Sequence, residues 1–183
     1  YGWGWNSKSQ VGVSTNESRA SEAVCTPTLL GSLLGLSVRA VACGAAHSLA
    51  VTLQGEVYSW GLGGSGQLGH ADYTSSVRPR CISRLATDVI IGVACGFGHS
   101  IALTKDGALR SWGWNRDGQL GVGDSENRNV PQRLSLPCTA QQVACGGGHS
   151  CVVSTTGDLY AFGSSSCGQL GLGEECTRQN VLK

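Results

Sequence analysis

After His47 the apolar residues Leu49, Val51 and Leu53 alternate with Ala50 and Thr52. Such period-two alternation predicts a strand, because successive side chains of a strand point to opposite faces. Gln54-Gly55 then predicts a tight turn, and Val57-Tyr58-Ser59-Trp60 begins a return strand. Asp106-Gly107 and Thr156-Gly157 stand at the same turn in later segments. Gly suits that position because primed hairpin turns need positive φ. Further strands are predicted near Arg80-Cys81-Ile82, near Gln132-Arg133-Leu134, and in the Val-Ala-Cys segment before each His. Helical periodicity of useful length is missing. Leu29 to Leu36 is apolar, but it contains two Gly and is short for a helix.

The pattern recurs along the chain. Val41-Ala42-Cys43-Gly44 returns at Val93 and at Val143, at offsets of 52 and 50. His47-Ser48, His99-Ser100 and His149-Ser150 keep the same offsets, as do Gly66-Gln67-Leu68-Gly69, Gly118-Gln119-Leu120-Gly121 and Gly168-Gln169-Leu170-Gly171. An aromatic stands seven residues before each Gln: Trp60, Trp112 and Phe162, with Trp3 before Gln10 in a fourth copy. Four-stranded units repeating at about 50 residues predict propeller blades, which bury their faces by stacking around an axis. The expected fold is therefore all-β, a partial β-propeller. Its units are an incomplete 1–37, then 38–89, 90–139 and an incomplete 140–183, about 3.5 four-stranded blades. That is fewer than the usual 4–8 of a closed ring. The remaining blades are expected from the same chain or a partner, since exposed strand edges invite pairing.

Composition sharpens this picture. Of 183 residues 28 are Gly, about twice the usual share, as turns and loops copied in every blade require. The chain starts at Tyr1 and contains no Met, which leads us to expect a piece of a longer product. The formal net charge of +1 argues against a polybasic surface for nucleic acid or membrane. No apolar run approaches the ~20 residues of a membrane span. Nine cysteines cannot all pair internally, and none forms Cys-x-x-Cys. Cys43, Cys95 and Cys145 share one repeat slot and read as small buried hydrophobes. A reduced intracellular setting is expected, cytoplasmic or nuclear, with organelles left open. The sequon Asn16-Glu17-Ser18 points the other way.

The series Val-Ala-Cys-Gly-x-x-His-Ser, turn Gly, Tyr-Ser-Trp-Gly and Gly-Gln-Leu-Gly resembles the repeat of the regulator of chromosome condensation family. The resemblance covers nearly the whole chain. It implies a seven-bladed propeller, but fold does not fix function. The family includes a guanine-nucleotide exchange factor for Ran, a plant UV-B receptor, giant ubiquitin ligases, and ciliary and mitochondrial adaptors. The receptor's resemblance implies a Gly-Trp-Arg-His-Thr pattern. Here the slots before His read Ala45-Ala46, Phe97-Gly98 and Gly147-Gly148, so photoreception is disfavoured. The exchange factor's resemblance implies a protruding β-wedge. The stretches from Gly12 to Val41, Gly69 to Val93 and Gly121 to Val143 span 29, 24 and 22 positions, leaving no room for one.

No catalytic, cofactor-binding or metal-ligating residue is assigned. Cys43, His47, Trp60, Gln67, Cys95, His99, Trp112, Gln119, Cys145, His149, Phe162 and Gln169 recur with the scaffold and read as structural. His70 departs from the repeat and reads as an exposed loop residue. Gly61-Leu62-Gly63-Gly64-Ser65-Gly66 matches G-x-G-x-x-G, but no helix follows it, as a dinucleotide site requires. Positions that differ between units are better candidates for function, since the scaffold does not demand them. Trp5 and Trp114 share one such slot, and Trp114 leads into Asn115-Arg116-Asp117. A second charged loop, 124–129, carries Asp124, Glu126 and Arg128. Exposed Trp and Arg are favoured interface anchors; the bland reading of the two Trp is packing between blades. The function expected is a non-catalytic protein-interaction scaffold in a larger protein. The alternatives are nucleotide exchange on a Ran-like small GTPase as partner and, less favoured, UV-B reception.

Overall fold

The alternating segments form strands, and each strand turns back on its neighbour where a Gly permits it. The computed structural model describes residues 1–13, 23–173 and 178–179. The sequon Asn16-Glu17-Ser18 lies outside them. The first sheet pairs β1 (Gly2–Trp5) with β2 (Ala23–Thr28). The second runs in chain order through β3 (Val38–Cys43), β4 (His47–Thr52), β5 (Val57–Gly61) and β6 (Ser76–Cys81). The third holds β7 (Ile90–Cys95), β8 (His99–Thr104), β9 (Leu109–Gly113) and β10 (Arg128–Arg133). The fourth holds β11 (Ala140–Cys145), β12 (His149–Ser154), β13 (Leu159–Ser164) and the two-residue β14 (Arg178–Gln179). All pairings are antiparallel. We call these sheets blades I to IV.

Three expectations need adjusting. The outer strands β6 and β10 begin earlier than predicted, so Arg128 and Asn129 belong to β10 rather than to a free loop. The apolar stretch after Leu29 forms one 3-10 turn at Gly31–Leu33, and a second lies at Ser83–Leu85. The repeated cysteines are not uniformly buried: Cys43 is exposed, and Cys95 and Cys145 are half-buried. They end the first strands β3, β7 and β11, which lie side by side; Cys95 and Cys145 pack against the cores between blades, while Cys43 is left open.

The core sits between blades rather than within one. Leu49, Val51, Val57, Ile82 and Leu85 of blade II pack with Ile90, Ala102 and Trp112 of blade III. Ile101, Leu103, Leu109 and Leu134 of blade III pack with Ala140, Val152 and Phe162 of blade IV. Leu30, Ala50 and Trp60 join blades I and II. Neighbouring residues on a strand face opposite blades, so Leu49 packs forward and Ala50 backward. This is why β4 and β8 are buried along their whole lengths.

Two Gly slots have a steric cause. Gly61, Gly113 and Gly163 pair with His47, His99 and His149 at positive φ of 100°, 106° and 108°. A Cβ there would come within 2.5 Å of the carbonyl oxygens of Ala46, Gly98 and Gly148. The last Gly of Gln-Leu-Gly lies against the next blade's aromatic: a Cβ on Gly69 would stand 2.9 Å from Trp112 Nε1. The motif therefore records a contact between blades.

Candidate partner-binding face

The repeated polar residues fasten one blade to the next. Ser100 Oγ and Trp112 Nε1 of blade III both donate to the Gln67 carbonyl of blade II, at 2.9 and 2.8 Å. Ser48 Oγ and Trp60 Nε1 do the same to Gln10 O. Ser150 donates to Gln119 O, where Phe162 has no N–H to add. The Gln side chain braces its own loop: Oε1 of Gln10, Gln67, Gln119 and Gln169 accepts from the backbone N–H two residues earlier.

The His residues extend this network. His47 Nε2 lies 2.9 Å from Ser100 Oγ, and His99 Nε2 lies 2.9 Å from Ser150 Oγ. Each Ser gives its one proton to a carbonyl, so it accepts from the His, and Nε2 must carry the hydrogen. Nδ1 of both rings is buried without a partner. Burial lowers His47 to about 4 and His99 to about 3, so both are neutral near pH 7. A ring in contact with one Ser of the next blade is a fastener, and among the described residues no cluster of three His, Cys, Asp or Glu could hold a metal. Desolvation likewise pushes the Cys145 thiol up to about 12 and Cys95 well above its usual value. A thiol held protonated is a poor nucleophile.

His70 corrects the reading of a simple exposed residue. It is half-buried, and its Nε2 donates to Ser59 Oγ at 2.9 Å, since Ser59 gives its own proton to Leu68 O. Gly61 to Gly66, the G-x-G-x-x-G match, joins β5 to β6 in a loop with no helix after it. A Cβ on Gly63 would collide with Thr74 O and one on Gly66 with Arg128 O, so these two glycines serve close backbone packing.

Antiparallel order sorts the connections. The loop between the first and second strands of a blade and the loop between its third and fourth emerge at one face. The hairpin turns, such as Gln54-Gly55, emerge at the other. Trp5 ends β1 and Trp114 follows β9, so both open the third-to-fourth connections of their blades. All eight sequence candidates, Trp5, Trp114, Asn115, Arg116, Asp117, Asp124, Glu126 and Arg128, belong to this first face.

They do not play equal parts there. Asn115 is fully buried. Its Oδ1 accepts from Leu120 N, and its Nδ2 donates to Asp124 O and Oδ1. Asn115 is thus a clasp inside the loop, not a contact for a partner; Asn6 does the same for Val11. A buried amide must find such partners or cost stability. Asp124 also caps Glu126 N and pairs with Arg128 at 2.5 Å. Arg116 and Glu126 are exposed, while Asp117 is half-buried. Trp5 is 59% exposed and donates to Ser7 Oγ.

Trp114 is half-buried, and its ring meets Phe97 of the same blade edge to face, at 6.3 Å between centroids and 61° between planes. The Trp114 backbone N–H donates to Gly98 O and ties the long loop to the first connection of the blade. Phe97, 64% exposed, was not among the sequence candidates. The signal was present, because its slot holds Ala45 in blade II and Gly147 in blade IV. The residue that would pair with it lies 17 positions away, however, and no local pattern links them.

The Regulator of chromosome condensation (RCC1) repeat matches residues 1–51, 54–103 and 106–153, and a second form of that repeat matches 38–67, 90–119 and 140–169. In its first form each repeat runs from the outer strands of one blade into the inner strands of the next. The chain is 41% identical over 135 residues to Ultraviolet-B receptor UVR8 of Arabidopsis thaliana, across 74% of the chain and 30% of the receptor. It is 43% identical over 110 residues to the human E3 ubiquitin-protein ligase HERC2, across 59% of the chain and 2% of the ligase. Prp20p of Saccharomyces cerevisiae, whose structure was described with its binding to Gsp1p and histones, superposes with a TM-score of 0.81 at 25% identity. That match covers 99% of this chain and 45% of Prp20p. The chain thus spans less than half the length of each of these relatives. With its repeats matched and its blades superposed, the chain belongs to the regulator of chromosome condensation (RCC1) repeat family.

Proposed function

We propose that the chain is part of a non-catalytic interaction platform within a larger propeller protein, and that a protein partner docks on the face bearing Phe97 and Trp114. The observation carrying this reading is the exposed Phe97 ring stacked edge to face on the half-buried Trp114, on a scaffold whose repeated polar side chains are already engaged within and between blades. Side chains that the scaffold does not use are available for recognition, and rigid platforms with variable loops suit binding. The units 38–89 and 90–139 repeat the full pattern. The unit 140–183 supplies four strands of its own sheet, the last of two residues, whereas 1–37 supplies two, and we take 1–37 as part of a blade completed elsewhere in the protein. An intracellular setting fits cysteines that recur in a repeat slot rather than in paired positions. Among the described residues no helix is long and apolar enough to cross a membrane.

Photo-crosslinking in the full-length protein tests the face. A crosslinker at Phe97 should capture a partner; one at Thr156, on the hairpin-turn face, should not. Equal capture at both positions would defeat the assignment. Nucleotide exchange on a small GTPase is the second reading, supported by the likeness to Prp20p. Labelled-nucleotide release from a panel of GTPases separates the two. Acceleration by the full-length protein supports exchange, and unchanged release across the panel supports the platform.

A further inference from the structure

We propose that the Phe97–Trp114 corner, with the Asp117 carboxylate, receives a cationic side chain, lysine or arginine, from the docked partner. This rests on the reading of that face as a docking surface and names the chemistry recognised there. Three observations carry it. First, the rings meet at 61° with centroids 6.3 Å apart, so one ring presents its edge to the other. Phe97 is 64% exposed, which leaves ring surface open to solvent. The face of an aromatic ring is its negative pole, and cations are attracted to it within about 6 Å of the centroid.

Second, a carboxylate lies beside the same Gly147-Gly148 segment that the Phe97 backbone bonds. Phe97 N–H donates to Gly147 O in the first connection of blade IV, at 3.0 Å. Asp117 Oδ2 lies against the next residue of that connection: a Cβ on Gly148 would stand 3.5 Å from it. The Gly147-Gly148 segment therefore passes beside both Phe97 and Asp117 without adding side chains of its own. The three ion pairs among the described residues are Asp72–Arg80, Asp88–Arg110 and Asp124–Arg128, and Asp117 takes part in none of them.

Third, the set is assembled in blade III alone among the described blades. The slots of Phe97, Trp114 and Asp117 hold Ala45, Leu62 and Ser65 in blade II, and Gly147, Ser164 and Cys167 in blade IV. The scaffold folds without these groups in its sister blades, so folding does not account for their coincidence here. An apolar partner residue would gain from the rings and leave a carboxylate beside it unpaired. A cationic side chain satisfies both, with its alkyl stem lying on Phe97.

The test uses the full-length protein and five nine-residue peptides of one Gly/Ser frame. They differ at the central residue: lysine, arginine, acetyl-lysine, norleucine or glutamate. Binding is followed by NMR titration to millimolar peptide, on the indole N–H of Trp114 assigned through its loss in Trp114→Phe. Lysine or arginine peptides should shift that signal saturably, and the relative affinities of the two show which cation is preferred. The acetyl-lysine, norleucine and glutamate peptides should bind at least tenfold more weakly. Phe97→Ala and Asp117→Asn should each weaken the cationic peptides about fivefold or more, with thermal unfolding unchanged. Norleucine binding equal to lysine would overturn the cationic assignment while leaving the face a docking surface. Failure of all five peptides at the Trp114 signal overturns the proposal, while the crosslinking experiment judges the face separately.

Discussion

The Gln67 carbonyl is predicted to be a shared acceptor whose two donors back each other up. It receives Ser100 Oγ at 2.9 Å and Trp112 Nε1 at 2.8 Å, both from the next blade. Trp112→Phe removes one donor and leaves the carbonyl with the other. The same slot in blade IV carries a fully buried Phe162, so the ring is tolerated. The expected loss is about 2 kcal/mol, one net hydrogen bond plus the lost indole volume. Ser100→Ala leaves Trp112 on the carbonyl but strands the buried His47 Nε2–H, costing about 1–3 kcal/mol. The double variant leaves Gln67 O with neither donor and adds the penalty of an orphaned buried acceptor. Its total loss should therefore exceed the sum of the single losses by about 1 kcal/mol or more. Urea denaturation followed by far-UV circular dichroism measures the cycle, since one variant removes a fluorescent Trp. A cycle closing within about 0.5 kcal/mol would mark the sites as independent and refute the shared acceptor.

Other outcomes follow from the same geometry. His47 and His99 have folded values near 4 and 3, below the unfolded 6.5. The unfolded chain thus binds more protons in between: stability from these rings is whole above pH 6.5 and falls as pH drops toward 4 and then 3. His47 alone accounts for about 3 kcal/mol across that window, and His47→Gln should flatten the acid limb of a denaturation-midpoint profile. Gly69→Ala forces a Cβ to within 2.9 Å of Trp112 Nε1 at a φ of +76°, whereas Gly35→Ala at +80° meets nothing within 4 Å. Both pay backbone strain of about 1–2 kcal/mol, and Gly69→Ala should cost measurably more in thermal unfolding. Asn115→Ala should destabilise by about 1–3 kcal/mol through its lost clasp, whereas Phe97→Ala should leave the unfolding midpoint unchanged and weaken partner capture.

Much of this architecture is legible along the chain. Alternation after His47 and Gly at the turns specify paired strands, because side-chain direction and positive φ are local properties. The recurrence of His, the aromatic and Gln at about 50 residues specifies stacked blades, because identical units need identical contacts. The residues that build the candidate face are less legible. Asn115 reads as a polar loop residue, and only the folded loop shows its amide turned inward to Leu120 and Asp124. Phe97 reads as a filler between Gly and Gly until the loop closure brings Trp114 onto it. Local patterns encode direction and turn, and so the elements and their repeat were determined by the sequence itself. Which carbonyl receives Ser100 and Trp112, and which ring meets Phe97, was decided by the tertiary structure. Those contacts join residues 17 to 45 positions apart, and they exist only at the angle and distance that blade packing imposes.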